Sequence, residues 1–258
     1  MNVRYIRINT LKHFQMRVIL IILIVVCSLE VRSQNCKDFY YFNKDMTVEF
    51  TGFRLSQSGR SLEREDLTYA LKFEEMEANN DFCQSKMIQS VPTNKKKTKG
   101  VDLTFFYLMN VDTLKMPINN WMGVWSKQRA AVETDKDNDN LFVVYPPDMS
   151  VGQTFQDLKG RKTGYDAEGR KAKINVEIKN RKVEKKETIT TSAGTWEAYK
   201  MTFDFRISFE KDLRSPGASP DFTFKWEEWF VPKFGIIKVN NYMGSSVISS
   251  ATISSIKK

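Results

Sequence analysis

The sequence predicts an all-β, antiparallel protein with few short helices. Three observations carry that prediction. Apolar and polar residues alternate with a period of two over as many as eleven consecutive positions. The alternating runs are short and separated by turn-forming clusters. No run carries a sustained helical period; only 61–90 hints at one, and within it Leu67, Tyr69, Leu71 and Phe73 alternate with Thr68, Ala70 and Lys72 as a strand does.

Taken in chain order, the first strand is expected at 46–54, ahead of the turn residues Gln57-Ser58-Gly59, and the second over 67–73. Weaker candidates follow at 102–109 and 141–145. Ala172, Ile174, Val176 and Ile178 then alternate with Lys173, Asn175, Glu177 and Lys179, after the turn cluster Asp166-Ala167-Glu168-Gly169. The clearest strand is 199–209. Tyr199, Met201, Phe203, Phe205, Ile207 and Phe209 share one face, and Lys200, Thr202, Asp204, Arg206 and Ser208 share the other. Ser192-Ala193-Gly194 precedes it as a tight reversal. Strands at 222–230, 236–243 and 247–256 complete the set, with Lys233-Phe234-Gly235 turning between the first two. One-sided alternation with short connections means antiparallel pairing, one face on a core and the other in water. Phe203 and Phe205 are therefore expected inside, with Asp204 and Arg206 outside.

The first 33 residues read as an export signal. Arg4, Arg7, Lys12 and Arg17 form a basic leader, Val18–Leu29 an apolar run, and Val31-Arg32-Ser33 a peptidase site with cleavage before Gln34. Met16 offers an alternative start. The run is too short to span a bilayer comfortably. Ile24-Val25-Val26-Cys27 imitates a lipobox, but Val26 stands where a small residue is required. The organisation expected is a signal over 1–33 and one antiparallel β domain over 34–258.

Cleavage would remove the only histidine, His13, and with it the usual general base, nucleophile partner and metal ligand. It would also remove +4 of the formal +9 charge, leaving a mildly basic chain whose lysines and acids are interleaved. The one clean basic run, Lys95-Lys96-Lys97-Thr98-Lys99, lacks the arginines and aromatics of a nucleic-acid surface and reads as a solvated loop tip. Cys36 and Cys83 remain, an even number; joined, they would close a 47-residue loop, and unjoined they are two small hydrophobes.

Other chemical signals are few. Asp135, Asp137 and Asp139 place oxygens at alternate positions like the start of a calcium loop, but Asn140 replaces the required glycine and Pro146 the bidentate glutamate. A polar hairpin tip is the simpler reading, and no metal or cofactor is expected. Glu227 and Glu228, adjacent on a strand, would face opposite sides, which is poor geometry for a carboxylate pair. Other acidic residues fall on polar strand faces or in loops. Asp112-Thr113-Leu114 matches a short O-glycosylation acceptor, a pattern frequent by chance. No phosphate loop, Cys-x-x-Cys or nucleophile elbow is present.

Three segments carry a family resemblance: Val183–Lys200 around Ser192-Ala193-Gly194-Thr195-Trp196, Glu228-Trp229-Phe230-Val231-Pro232-Lys233-Phe234-Gly235 with the following Ile236-Ile237-Lys238, and Tyr145-Pro146-Pro147-Asp148 running to Gln153. Together with Asn35-Cys36 to Tyr41, they resemble the exported domain-of-unknown-function 3108-like family, also called TapB-like. The resemblance is best over 141–258 and does not extend into 79–140. It implies a small antiparallel β-barrel or half-barrel, LolA/LolB-like or similar, and no established activity.

The expected role is that of an exported protein, periplasmic, envelope-associated or secreted, binding an apolar or lipid-like ligand without catalysis. Met201, Phe203, Phe205, Trp226 and Tyr242 are the candidates to line its interior, with further methionines such as Met87 and Met116 adding adaptable surface. A filled core with no ligand is the simpler alternative for those residues. A structural or assembly partner in an envelope or secretion complex is the alternative role, and a carboxylate-dependent hydrolase a third. Trp226 and Trp229, three apart, should face opposite ways. No nucleic-acid partner is expected, and the oligomeric state is left open.

Overall fold

The computed structural model describes Cys36 and residues 39–58, 61–78, 83–91, 101–110, 113–118, 142–165, 171–209 and 221–258. Six strands form the first meander: β1 (Thr47–Ser58), β2 (Ser61–Ala78), β3 (Cys83–Val91), β4 (Val101–Asn110), β5 (Thr113–Pro117) and β6 (Phe142–Tyr145). Six more form the second: β7 (Leu158–Tyr165), β8 (Lys171–Thr191), β9 (Gly194–Phe209), β10 (Asp221–Val231), β11 (Gly235–Met243) and β12 (Ser246–Lys257). Each strand pairs antiparallel with its chain neighbour, except that β6 and β7 do not pair; β1 pairs instead with β12. The order is therefore β6-β5-β4-β3-β2-β1-β12-β11-β10-β9-β8-β7, one 12-stranded sheet curled into a nearly closed barrel.

The predicted alternation sets which side chains fill it. Leu67, Tyr69, Leu71 and Phe73 of β2, Ile174, Val176 and Ile178 of β8, and Met201, Phe203 and Phe205 of β9 are all buried. Arg206 is exposed, and Asp204 is partly exposed. Each fully buried apolar side chain of this size contributes about 1.5–3 kcal/mol. Trp226 stacks on Phe203 with centroids 5.7 Å apart and meets Phe205 edge-on at 6.0 Å, so β9 and β10 share one aromatic layer.

Three strands escape the sequence reading for separate reasons. In β3 the inward phase is Cys83, Ser85, Met87 and Gln89, half of it polar, so the hydrophobic period vanishes. Strand β5 is five residues long. Strand β7, Leu-Lys-Gly-Arg-Lys-Thr-Gly-Tyr, is an edge strand with almost no apolar face. Helix among the described residues amounts to one 3-10 turn, Tyr40–Phe42.

That turn belongs to an N-terminal segment packed into the core. Phe39, Tyr41 and Phe42 are buried, and Cys36 is bonded to Cys83 of β3 with Cα atoms 6.0 Å apart. Tyr41 Oη accepts a hydrogen bond from the Ile236 N–H at 2.9 Å and donates to the Ile236 carbonyl at 3.4 Å. Its ring lies where a Cβ on Gly235 would stand, 1.6 Å away, and Gly235 holds φ +121°. Strands β1 and β12 also approach closely: a Cβ on Gly52 would sit 1.9 Å from the Ser250 carbonyl oxygen.

Candidate functional site

Within the barrel lies a cavity of about 60 Å³. Its wall is mostly apolar: Phe50, Leu67, Tyr69, Met87, Met116 and Trp226 are among the residues that form it, with Tyr41 contributed by the N-terminal segment. Three buried polar side chains join them, Gln89 of β3, Asn241 of β11 and Ser249 of β12. Asn241 Nδ2 donates to Ser249 Oγ at 2.8 Å, while Asn241 Oδ1 has no hydrogen-bond partner among the described residues. No charged side chain lines the space among the described residues. An engineered apolar cavity of about 150 Å³ holds benzene, so the interior as it stands admits a short chain end rather than a whole lipid.

Of the five residues expected to line an interior site, Trp226 does so. Met201, Phe203 and Phe205 are buried but are not among the residues that line it: the two phenylalanines pack on Trp226, and Met201 lies against Arg181. Tyr242 corrects the expectation outright. It stands on the outer face, half-buried, with its hydroxyl donating to Glu227 Oε2 at 2.9 Å. Its neighbours in phase, Lys238 and Asn240, are polar, while Asn241 is in the inward phase of Ile237 and Val239. Trp229 is likewise outward, covered by Lys200 and Lys238 over its ring faces at 5.1 and 4.5 Å and donating from Nε1 to Glu187 at 2.7 Å. The two tryptophans do face opposite ways.

The feature missed by the sequence reading is a buried ion pair. Glu228 faces inward in phase with Phe224 and Trp226 and is wholly buried; Arg181 of β8, after a positive-φ residue at Asn180 (φ 57°), is 3% exposed. Arg181 Nη2 lies 3.6 Å from Glu228 Oε1, and the Tyr145 hydroxyl of β6 donates to the same oxygen at 2.9 Å. The guanidinium is sandwiched between the Tyr145 and Phe155 rings, 4.4 Å from each centroid, and Nη1 donates to the Val144 carbonyl at 2.6 Å. Met201 completes the surround, with its sulfur 4.0 Å from Nη2. Tyr145 also stacks on Phe230 at 4.5 Å. These contacts fasten edge strand β6 across to β8 and β10, and so draw the barrel toward closure without a β6–β7 ladder.

Glu228 Oε2 and Arg181 Nε have no partner among the described residues. Burial pushes the Glu228 carboxyl up to about 7 against the opposing pull of Arg181 and the Tyr145 hydrogen bond. The signal was present in the sequence: Phe224-x-Trp226-x-Glu228-x-Phe230 puts one acid into an otherwise aromatic phase. Glu228 is the one buried carboxylate among the described residues, and no group of three metal-ligating side chains occurs among them. The positions Asp135, Asp137 and Asp139, the lysine run 95–99, Asp112 and the leader 1–33 lie outside the described residues. No described helix is long and apolar enough to cross a membrane.

The same barrel recurs in solved structures. An exported-type protein with a YmcC-like fold from Bacteroides fragilis aligns with a TM-score of 0.59 at 13% identity, covering 85% of this chain and 99% of that one. A protein described as a lipoprotein from Parabacteroides distasonis gives a TM-score of 0.56 at 18% identity with the same coverage. At these identities the likeness is one of fold. No curated protein matches by sequence. The DUF3108-like family model matches residues 74–253, which takes in the three later segments of the resemblance and also 79–140, and leaves out Asn35–Tyr41. The chain therefore belongs to the DUF3108-like family.

Proposed function

We propose that this chain is an exported protein of the cell envelope that takes a short apolar group, such as the end of an aliphatic chain, into its barrel without catalysing a reaction. The cavity carries the proposal: it is walled by aromatic and methionine side chains drawn from separate strands, with no charged side chain among the described residues. Met87 and Met116 line it, and their flexible thioethers can swing to admit more of a chain than the resting volume holds. Export is supported by the leader over 1–33, by the Cys36–Cys83 bond, and by structural neighbours described as exported or as a lipoprotein. Binding without catalysis is favoured because the single buried carboxylate among the described residues is occupied by Arg181 and Tyr145.

Titration with bromohexane tests this directly, since bromine quenches a tryptophan it touches. Saturable quenching is expected, lost in Trp226→Phe and in Ala251→Leu, which fills the cavity from its small wall residue. Non-saturable quenching, equal in all three proteins, would overturn the binding role. It would favour assembly through the edge of β7, which ends the sheet with a side unpaired among the described residues. N-terminal sequencing of protein from the cell envelope is expected to start at Gln34.

A further inference from the structure

Resting on the interior-binding reading, we infer that the ligand carries a neutral hydrogen-bond donor, such as a hydroxyl or amide N–H, seated against Asn241. Among the described residues the wall supplies an unpartnered acceptor and no cation. Asn241 is 1% exposed, lines the cavity, and spends its Nδ2 on Ser249, leaving Oδ1 with no partner among the described residues. A buried carbonyl of this kind is costly alone and is satisfied by a donor. Gln89, 2% exposed, brings a second neutral amide to the same wall from β3.

The identity of the lining also excludes a class. A carboxylate or phosphate entering this space would leave water for a site with no Lys, Arg or His among the described residues of its wall. The buried cation among the described residues, Arg181, does not line the cavity and is already engaged with Glu228 and Val144. Free fatty acids are thus poor ligands and alkanol-like or amide-headed aliphatics good ones. Volume sets the further limit that only a few heavy atoms sit beyond the polar contact at rest.

Three brominated ligands with the same chain separate the possibilities through Trp226 quenching. Bromohexanol can donate, bromohexyl methyl ether can only accept, and bromohexanoate is charged at about pH 8. Bromohexanol is expected to bind about fivefold or more tighter than the ether and about fiftyfold or more tighter than the carboxylate. Asn241→Leu is expected to erase the preference for alcohol over ether. Equal binding of ether and alcohol, or of carboxylate and alcohol, would overturn the inference with bromohexane binding undisturbed. If bromohexane itself fails to saturate, the interior-binding reading falls and takes this inference with it. The wild-type comparison of the three ligands decides the matter even if the Asn241 variant does not fold.

Discussion

Replacing Glu228 by glutamine should flatten a pH dependence of stability that the wild-type protein carries in an unusual direction. The carboxyl holds its proton up to about 7 in the fold, against 4.5 in the open chain. At 1.36 kcal/mol per pH unit, the difference comes to about 3 kcal/mol. The sign follows from which state loses its proton first. Below pH 4.5 Glu228 is protonated in both states and adds no pH dependence. As pH rises from 4.5 to 7 the unfolded chain ionises while the fold resists, so stability declines. Above about 7 the charge is carried inside, beside Arg181 but with Oε2 unpaired among the described residues, and the cost is constant.

The shifted carboxylates at the surface among the described residues do not obscure this window. Glu49, Glu177, Glu184, Glu187 and Asp221 are held below their ordinary range, chiefly by hydrogen bonds to partners such as Lys257, Lys179, Thr202, Lys185 and Arg206, so their contributions are lost only in more acid solution. Urea unfolding followed by tryptophan emission at pH 5, 6, 7 and 8 reads the effect. The wild type should lose most of about 3 kcal/mol across the series, and Glu228→Gln should be level, with Arg181 left uncompensated equally at every pH. Parallel curves for the two proteins, or wild-type stability that rises with pH, would refute the reasoning.

Three further outcomes follow from packing. Phe203→Ala should cost about 3–5 kcal/mol in urea unfolding, while Asp204→Ala, losing only the 2.7 Å bond from Asn180 at the surface, should cost less than about 1. Gly235→Ala should lower stability by at least about 3 kcal/mol, because the new methyl meets the Tyr41 ring at a positive φ; differential scanning calorimetry will register it as a large drop in Tm. Serine at both Cys36 and Cys83 should cost about 4 kcal/mol by the chain-entropy relation for a 47-residue loop, matched by wild type unfolded in reductant.

The sheet was legible where a strand has one apolar face, as in β9, and illegible where inward residues are polar, as with Ser85 and Gln89 of β3. Barrel closure was not visible in periodicity, because it depends on Arg181, Tyr145 and Glu228, which come from strands at opposite ends of the sheet order. The cavity was misplaced for a related reason. Sequence alternation identifies which residues point inward but not which are covered by others, so Phe203 and Phe205 looked like lining residues until Trp226 was found across them. Tyr242 could have been assigned correctly from Lys238 and Asn240, which mark its phase as the wet one.

The pairing of β1 with β12 has a consequence for how the chain must be assembled in time. Thr47 meets Lys257, so the first strand waits for the last one described before its second side is covered. The hairpins within each meander can zip as soon as their two strands exist, since their partners are near neighbours in sequence. The central seam cannot. A chain that emerges amino end first holds β1 as a bare edge throughout synthesis or passage across a membrane, the state in which strands recruit the wrong partner. Glu49 is positioned to act in that interval: on the completed barrel it gathers Ser255 and Lys257 of β12, and before then it leaves a charge on the waiting edge. Losing β12 would reopen two edges in mid-sheet, whereas losing β6 would merely shorten the sheet at one end.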